Sequence, residues 1–447
     1  MKRFFSRNLS YTQYIAFGFL LIIFAGTLLL CLPIASRDGI WTNPLDAFFT
    51  ATSATCVTGL VIYDTYTHWS IFGQTVILLL IQVGGLGFMA MITMFSIFTK
   101  RKISLHERKL LVQTSGSMRY QGIVVLIRRI LKGTFFVEGV GAAFLALRFC
   151  QEMPFGEGIY NAIFHSVSAF CNAGFDLMGK KVPYGSLTSY SDDWLVCLTL
   201  IVLIVIGGIG FFVWNDIRKH GFKFKDYDLH SKLVVCTSGA LIVFGFFYFL
   251  LTERNGLMDG MSAGERIISS LFLSVSPRTA GFNTLDQNGL SEAGRLMTMI
   301  FMFIGGSPGS TAGGIKTTTF LVAILSALSS ARNVKDVTVF KRRIDSKIIR
   351  EACSIVAIYI MMLFASVALI AIIEPFPLEA IFFEAVSAIG TVGLSCGISQ
   401  ELSAVSKIIF SLLIFFGRIG GLSFVLVVAE QRRPVAVERP SERILIG

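Results

Sequence analysis

Four short segments of this 447-residue sequence have the composition to hold a metal cation through backbone oxygen rather than side chains. They read Ser53-Ala-Thr-Cys-Val-Thr-Gly59, Ser168-Ala-Phe-Cys-Asn-Ala-Gly174, Val275-Ser-Pro-Arg-Thr-Ala-Gly281 and Ser387-Ala-Ile-Gly-Thr-Val-Gly393. Aligned on the last glycine, each has a Val, Asn or Thr two positions earlier. Each is followed at once by a bulky apolar residue: Leu60, Phe175, Phe282 or Leu394. A glycine at that point can adopt conformations that aim carbonyls toward a common axis. A ring of such carbonyls is how proteins replace the hydration shell of an alkali cation. The copies recur with a period of about 110 residues, and one small-residue loop means little where four in register mean a repeat. Each is followed by an apolar stretch carrying a glycine pair: Gly84-Gly85, Gly207-Gly208, Gly305-Gly306 and Gly420-Gly421. Close helix packing is the favoured account of those pairs, with a pore-lining role as the alternative.

The third copy has an element the others lack, Gly305-Gly-Ser-Pro-Gly-Ser-Thr-Ala-Gly-Gly-Ile-Lys316. Its five glycines and one proline cannot sustain a helix. The spacing of Gly309 and Gly314 imitates a nucleotide-binding loop, but Ile315 intrudes before Lys316-Thr317 and no strand precedes it. A polar loop midway along an apolar span, below a cation ring, reads as a gate, with a plain helix break as the bland alternative. Arg418, in Phe416-Gly-Arg-Ile-Gly-Gly421, occupies the equivalent span of the fourth copy. An arginine at membrane depth needs a cavity or a partner, and backbone carbonyls of the glycine loop and pore water are the expected ones. Glu138 lies in the first span of the second copy, and the sequence names no partner for it. The eight cysteines have no CxxC or Cys/His ligand spacing, and the five histidines form no cluster. His165 falls in a short apolar stretch, where a packed, hydrogen-bonded role is expected. No clustered nucleophile, catalytic carboxylate pair or metal-ligand set appears, so the chain reads as no enzyme.

The elements that position these residues follow from composition. The chain is 54% hydrophobic and 15% charged, with mean hydropathy +0.71, which makes it a polytopic membrane protein. Long apolar spans fall near residues 12–34, 71–98, 125–149, 193–214, 232–251, 293–325, 352–373 and 404–429. The first lacks a small-residue cleavage site, so it reads as a retained helix. Within each pair of spans lies a shorter apolar stretch, too short for a bilayer core of about 30 Å. Three of these carry helix-start signals: Asn43-Pro44, the Ser262-x-x-Glu265 capping box and Pro377-x-Glu379. If they run inward, their negative dipole ends meet at the membrane centre and favour a cation. The net charge of +11 is placed at alternate span ends: Lys2, Arg3, Arg7; Lys100 to Lys109; Arg218 to Lys225; Lys341 to Arg343; Arg432 and Arg433. That puts both termini in the cytoplasm and makes nucleic-acid binding an unneeded explanation. The opposite face carries the acids, among them Asp46, Asp64, Glu157, Glu253, Glu374 and Glu379, which raise local cation concentration.

The glycine quadruplet, the Gly305–Lys316 loop and the Gly-Arg-Ile-Gly-Gly segment together resemble the Trk/Ktr/HKT potassium transporter superfamily, in particular the Ktr-type ion-translocating membrane subunit. The resemblance covers essentially the whole chain. It implies an all-α integral membrane protein of four M1-P-M2 repeats, with eight transmembrane helices and four re-entrant pore helices around one central pore. The repeats would be residues 1–102, 103–220, 221–335 with the intramembrane loop 305–316, and 336–430, followed by a cytoplasmic tail 431–447. Carried over by position, the filter is Val57, Thr58, Gly59; Asn172, Ala173, Gly174; Thr279, Ala280, Gly281; and Thr391, Val392, Gly393, with K⁺ held at their carbonyls. The gate comprises Gly305, Gly306, Ser307, Gly309, Ser310, Thr311, Gly313, Gly314 and Lys316, with Arg418 near it. In that family a serine for the first filter glycine accompanies sodium preference. All four copies here keep glycine, which favours potassium. The resemblance also implies a homodimer in the cell membrane and a cytosolic ring of nucleotide-binding partner subunits, so ATP or ADP acts only through that partner. Na⁺ is a candidate activator, since sodium dependence is common in this branch.

The resulting expectation is potassium uptake through a four-repeat carbonyl filter, gated by an intramembrane loop. A sodium-selective or poorly selective transporter of the same architecture is the alternative. A nucleotide-driven pump would need ATPase activity in the chain alone. An inverted-repeat transporter would need two related halves rather than four parallel copies.

Overall fold

A computed structural model describes residues 11–87, 123–334 and 336–420. The described residues are mostly helical, with one small antiparallel hairpin among them pairing Thr338–Val339 with Arg342–Arg343. Among the described residues, four helices are long and apolar enough to cross a membrane: α1 (Tyr11–Cys31), α4 (Ile123–Glu152), α8 (Leu229–Thr252) and α12 (Ser346–Ile373). They present bare apolar side chains outward, such as Phe24, Phe136, Leu251 and Ile372. That outer surface suits lipid rather than water, because hydrocarbon makes no demand for polar groups there.

After each long helix comes a shorter one: α2 (Pro44–Thr55), α5 (Phe155–Phe170), α9 (Ala263–Val275) and α13 (Leu378–Gly390). At 1.5 Å per residue these reach about 18–24 Å, short of the bilayer core. Their starts follow the sequence signals. Asn43 accepts the Leu45 N–H with Pro44 in the first turn. Ser262 and Glu265 form both halves of a capping box. Pro377 caps α13 and Glu379 sits in its first turn.

A further apolar helix follows each short one: α3 (Ile71–Leu86), α6 (Trp194–Gly208), α10 (Glu292–Phe303) and α14 (Ala404–Ile419). The span expected over 193–214 is not straight. α6 ends near Gly210, whose φ is 97°, and α7 (Phe211–His220) departs at 94° to it. Only left-handed backbone at Gly210 permits that corner. In the third copy α10 stops at Phe303, the chain crosses residues 304–316 without helix, and α11 (Thr317–Ala331) resumes. The parts of the expected spans beyond Gly87 and Gly420, the basic clusters at 2–7, 100–109 and 432–433, Gly421 and the tail 431–447 lie outside the described residues.

The packing is cyclic. α3 lies on α5, α6 on α9, α10 on α13, and α14 returns to α2. Each contact thus joins the helix that follows the short one in one copy to the short helix of the next, and the final contact joins the fourth copy to the first. Ion pairs mark two of these seams. Arg295 reaches Glu379 at 3.0 Å, and the well-buried Lys407 reaches Asp46 at 2.7 Å, where Tyr63 donates to the second carboxylate oxygen at 2.7 Å.

Candidate functional site

The short helices end where the glycine segments begin, and the backbone then does the same unusual thing four times. Val57, Asn172, Thr279 and Thr391 have φ of 58°, 57°, 72° and 51°. Two residues on, Gly59, Gly174, Gly281 and Gly393 are left-handed as well, at 92°, 69°, 77° and 97°. Left-handed backbone costs a residue with a side chain about 1–2 kcal/mol, so four such residues persist only where surrounding bonds fix them. A buried serine supplies one bond in each copy. Ser53 and Ser387 accept the N–H of Gly59 and Gly393, each at 3.1 Å. Ser168 and Ser276 donate instead to the carbonyls of Phe175 at 2.7 Å and Phe282 at 2.5 Å.

The four glycines close a ring. A methyl group placed on Gly59 would lie 2.5 Å from Ala173 O, and one on Gly174 would lie 2.9 Å from Ala280 O. One on Gly281 would lie 2.2 Å from Val392 O, and one on Gly393 would lie 2.2 Å from Thr58 O. Each glycine therefore faces the carbonyl of the middle residue of the next copy, and the fourth faces the first. The negative ends of four short helices converge on this ring, an arrangement that favours a cation over an anion. The hydroxyls of Thr55, Thr58 and Thr391 are buried there with no hydrogen-bond partner among the described residues.

Below the ring lies the segment 304–316. It is fastened to the second and fourth copies, and through Arg418 it is linked to the first. Ser307 N and Thr311 N donate to Gly208 O at 3.0 Å and Gly207 O at 3.3 Å. The Thr311 hydroxyl is 3.0 Å from Phe170 O and 3.2 Å from Asn172 Oδ1. Gly314 N donates to Gly417 O at 3.2 Å, and Gly313 has no room for a side chain because the Thr391 hydroxyl occupies that space. Arg418 donates to Thr311 O with one guanidinium nitrogen and to Gly84 O and Gly85 O with the other. Lys316 does not reach the ring; it folds back on Ala312 O at 2.6 Å and Gly313 O at 3.3 Å. Gly309 is also apart, accepting the Phe211 N–H at 2.8 Å at the α6–α7 corner.

The glycine pairs of the first two copies combine tight packing with carbonyls that accept from Arg418 or from the segment 304–316. A side chain on Gly84 would overlap Thr55 O, and one on Gly207 would overlap Phe170 O, each at 1.9 Å. In the fourth copy the packed glycine is Gly417, against Ile389 O at 2.2 Å, while Gly420 has open space around it.

Three polar groups support the ring from behind or above. Glu138 is buried, takes the Gln82 side-chain N–H at 3.1 Å, and its backbone carbonyl takes the Ser166 hydroxyl at 2.6 Å. His165 is bonded at both ring nitrogens, to Asn161 O at 2.8 Å and to Leu177 N–H at 3.3 Å. Asp176, two residues beyond Gly174, was not marked by the sequence as part of the acidic face. Burial pushes its carboxyl up to about 7, the Met178 N–H pulls it the other way, and nearby Asp64 adds to the rise. Asp64 caps the turn Thr65–His68 and accepts Tyr184 N–H at 3.0 Å, tying together the outer loops of the first two copies. The signal that could have found Asp176 is its place in the alignment, where Val61, Asn283 and Ser395 stand in the other copies.

Comparison with known proteins gives the arrangement a family. Residues 12–435 match the family profile TrkH, described as cation transport protein. The potassium/sodium uptake protein NtpJ of Enterococcus hirae is 37% identical over 454 residues, covering 100% of this chain and 99% of the relative. The Ktr system potassium uptake protein B of Bacillus subtilis is 38% identical over 418 residues, covering 92% of each. The crystal structure of the potassium transporter TrkH from Vibrio parahaemolyticus superposes with a TM-score of 0.76, covering 96% of this chain and 86% of that one, at 17% identity. With its helical membrane fold, four glycine segments and near-complete alignment to these relatives, the chain belongs to the TrkH family of cation transport proteins.

Proposed function

We propose that the chain is a potassium uptake pathway of the cell membrane, with the ring of Val57–Gly59, Asn172–Gly174, Thr279–Gly281 and Thr391–Gly393 as its selectivity filter. The closed set of glycine-to-carbonyl contacts carries this reading. It supports a central path lined by backbone oxygen, and no side chain can intrude on it without collision. The units 1–102, 103–220, 221–335 and 336–430 are then four M1-P-M2 repeats around one pore, with 431–447 as a cytoplasmic tail. A monovalent cation entering down the membrane potential gains about 2.3 kcal/mol per 100 mV, so uptake needs no chemistry in this chain.

The segment Gly305–Lys316 is the gate and Arg418 its latch. The bonds of Arg418 to Thr311 O and Gly84 O support this assignment, because they hold the segment under the ring and place a positive charge beside the path. The relatives named as Ktr system proteins B and D are parts of systems with further components. That naming fits a chain that works with a separate partner, which on this reading is a cytosolic nucleotide-binding regulator acting on a homodimer with both termini in the cytoplasm. The name of the Enterococcus hirae relative favours a second reading, in which sodium also passes or activates.

The test is rubidium tracer uptake in a host lacking its own potassium uptake systems, with unlabelled K⁺ and Na⁺ as competitors. The proposal expects uptake suppressed by K⁺ far more than by Na⁺. Equal suppression would support the sodium-passing alternative, and no uptake by membrane-inserted protein would overturn both.

A further inference from the structure

We infer that His165 and Glu384 are a matched pair of positioning residues, one on each of the two opposite short helices α5 and α13, that fix the backbone leading outward from the ion path. The inference rests on the reading of the four loops as a filter. Both residues stand nine positions before the last glycine of their copy, Gly174 and Gly393. Both are wholly buried. Each accepts the backbone N–H of the residue twelve positions on: Leu177 N–H reaches His165 Nε2 at 3.3 Å, and Cys396 N–H reaches Glu384 Oε2 at 3.4 Å. The same bond is thus made twice, by unrelated side chains, at one position of the repeat.

Each residue is held in place for that task. Because Nε2 accepts, the His165 proton resides on Nδ1 and is donated to Asn161 O at 2.8 Å. The ring is packed beside Phe149 and beside Phe282, the residue that follows the filter glycine of the third copy. Glu384 takes the Ser395 hydroxyl at 2.8 Å and the Ser399 hydroxyl as well, so its carboxyl gathers the whole return segment of the fourth loop. The other two copies do not share the device. Thr50 in the first spends its hydroxyl on Asp46 O in its own helix, and the third has Phe272. Around the ring the order is Gly59, Gly174, Gly281, Gly393, so the two pinned loops face one another and the two unpinned loops face one another. The path is braced along one diameter and left more compliant along the other. An opening held on one diameter keeps the spacing a partly dehydrated K⁺ needs, and relaxing those pins lets the loops shrink around Na⁺.

The experiment compares His165→Gln, His165→Asn, His165→Phe, Glu384→Gln, Glu384→Asn and Glu384→Leu in the uptake-deficient host, with uptake normalised to protein in the membrane. A glutamine oxygen falls near the position of Nε2 or Oε2 and can still accept, whereas an asparagine oxygen is too short. The Gln variants should keep K⁺ over Na⁺ discrimination within about twofold. The Asn, Phe and Leu variants should lose roughly threefold to tenfold, the worth of one hydrogen bond, through a raised KM for K⁺ at an undiminished maximal rate. Thr50→Val should leave discrimination as it is. If Phe or Leu prevents membrane insertion, the Gln-against-Asn contrast at each site decides. Asn and Gln variants indistinguishable from one another, or changes in maximal rate alone, would overturn the inference. A wild-type chain that shows no K⁺ preference and no response to Gly59→Ser would instead mean that the filter reading itself has failed.

Discussion

At Gly393 there is no space for a side chain, and the four ring glycines differ in how completely this is so. The built methyl contacts are 2.2 Å at Gly281 and Gly393, 2.5 Å at Gly59 and 2.9 Å at Gly174. Left-handed backbone adds about 1–2 kcal/mol for any other residue, roughly a fivefold to thirtyfold effect where the strain is relieved by distorting the path. Replacing each by serine should therefore lower K⁺ over Na⁺ discrimination in the order Gly281 and Gly393 first, Gly59 next, Gly174 least. Competition of Na⁺ against rubidium tracer measures it, and a flat response across the four sites would contradict the geometry. Asp176 gives the residue scale a pH dependence. With its carboxyl near 7, it is charged above that pH and takes up a proton as the outside becomes more acidic. Cation attraction at the mouth should weaken as external pH falls from 8 to 6, by a few-fold in KM, an order-of-magnitude expectation for one charge near the path. Asp176→Asn should have the weaker KM at both pH values and little dependence between them.

Among the elements, the segment 304–316 and Arg418 make one unit. A hydrogen bond to a charged donor contributes about 1.5–3 kcal/mol, so losing the one from Arg418 to Thr311 O should shift the proposed gate by about tenfold or more. Arg418→Gln should raise flux, and so should deletion of Gly309–Gly313. Combined, the two should raise it by much less than the product of their separate effects, since the deletion removes the acceptor. Full additivity in tracer flux would mean the two do not act together, and reduced flux in a well-inserted deletion would make the segment structural. This unit was largely legible in the sequence, because five glycines and a proline in an apolar span cannot be helix. What could not be read was which neighbours hold it. Gly207 O and Gly208 O lie in another copy, and Gln82, the partner of Glu138, is fifty-six residues away. The corner at Gly210 escaped for a different reason. Hydropathy over 193–214 reports that a stretch is apolar and says nothing of its direction. The paired bonds of His165 and Glu384 were hidden because the two residues share no chemistry that one sequence would align.

Across the whole molecule, the cyclic packing makes the last seam as important as the first. Lys407 and Asp46 pair at 2.7 Å with little exposure, and Tyr63 completes the carboxylate. Removing one member of a buried pair strands the other and costs about 3–5 kcal/mol. Lys407→Met should therefore lower the unfolding midpoint of the detergent-purified protein by several degrees. Restoring a neutral partner with Asp46→Asn in the same chain should recover part of that loss. An unchanged midpoint in Lys407→Met would mean that the seam is held by apolar packing of α14 on α2 alone.

The seam between residue 46 and residue 407 also sets an order in time. Synthesis begins at the first copy, yet the short helix α2 has its final neighbour only once α14 has been made and inserted. Until then the glycine backbones at 57–59 and 279–281 lie beside an unfilled quarter of the ring, with polar groups that lipid cannot satisfy. A nascent chain is thus unfinished for most of its translation. The ring of copies closes late, when α14 docks on α2. On the proposed reading, a chain terminated before α14 leaves the ring without its closing seam and should show no selective tracer uptake.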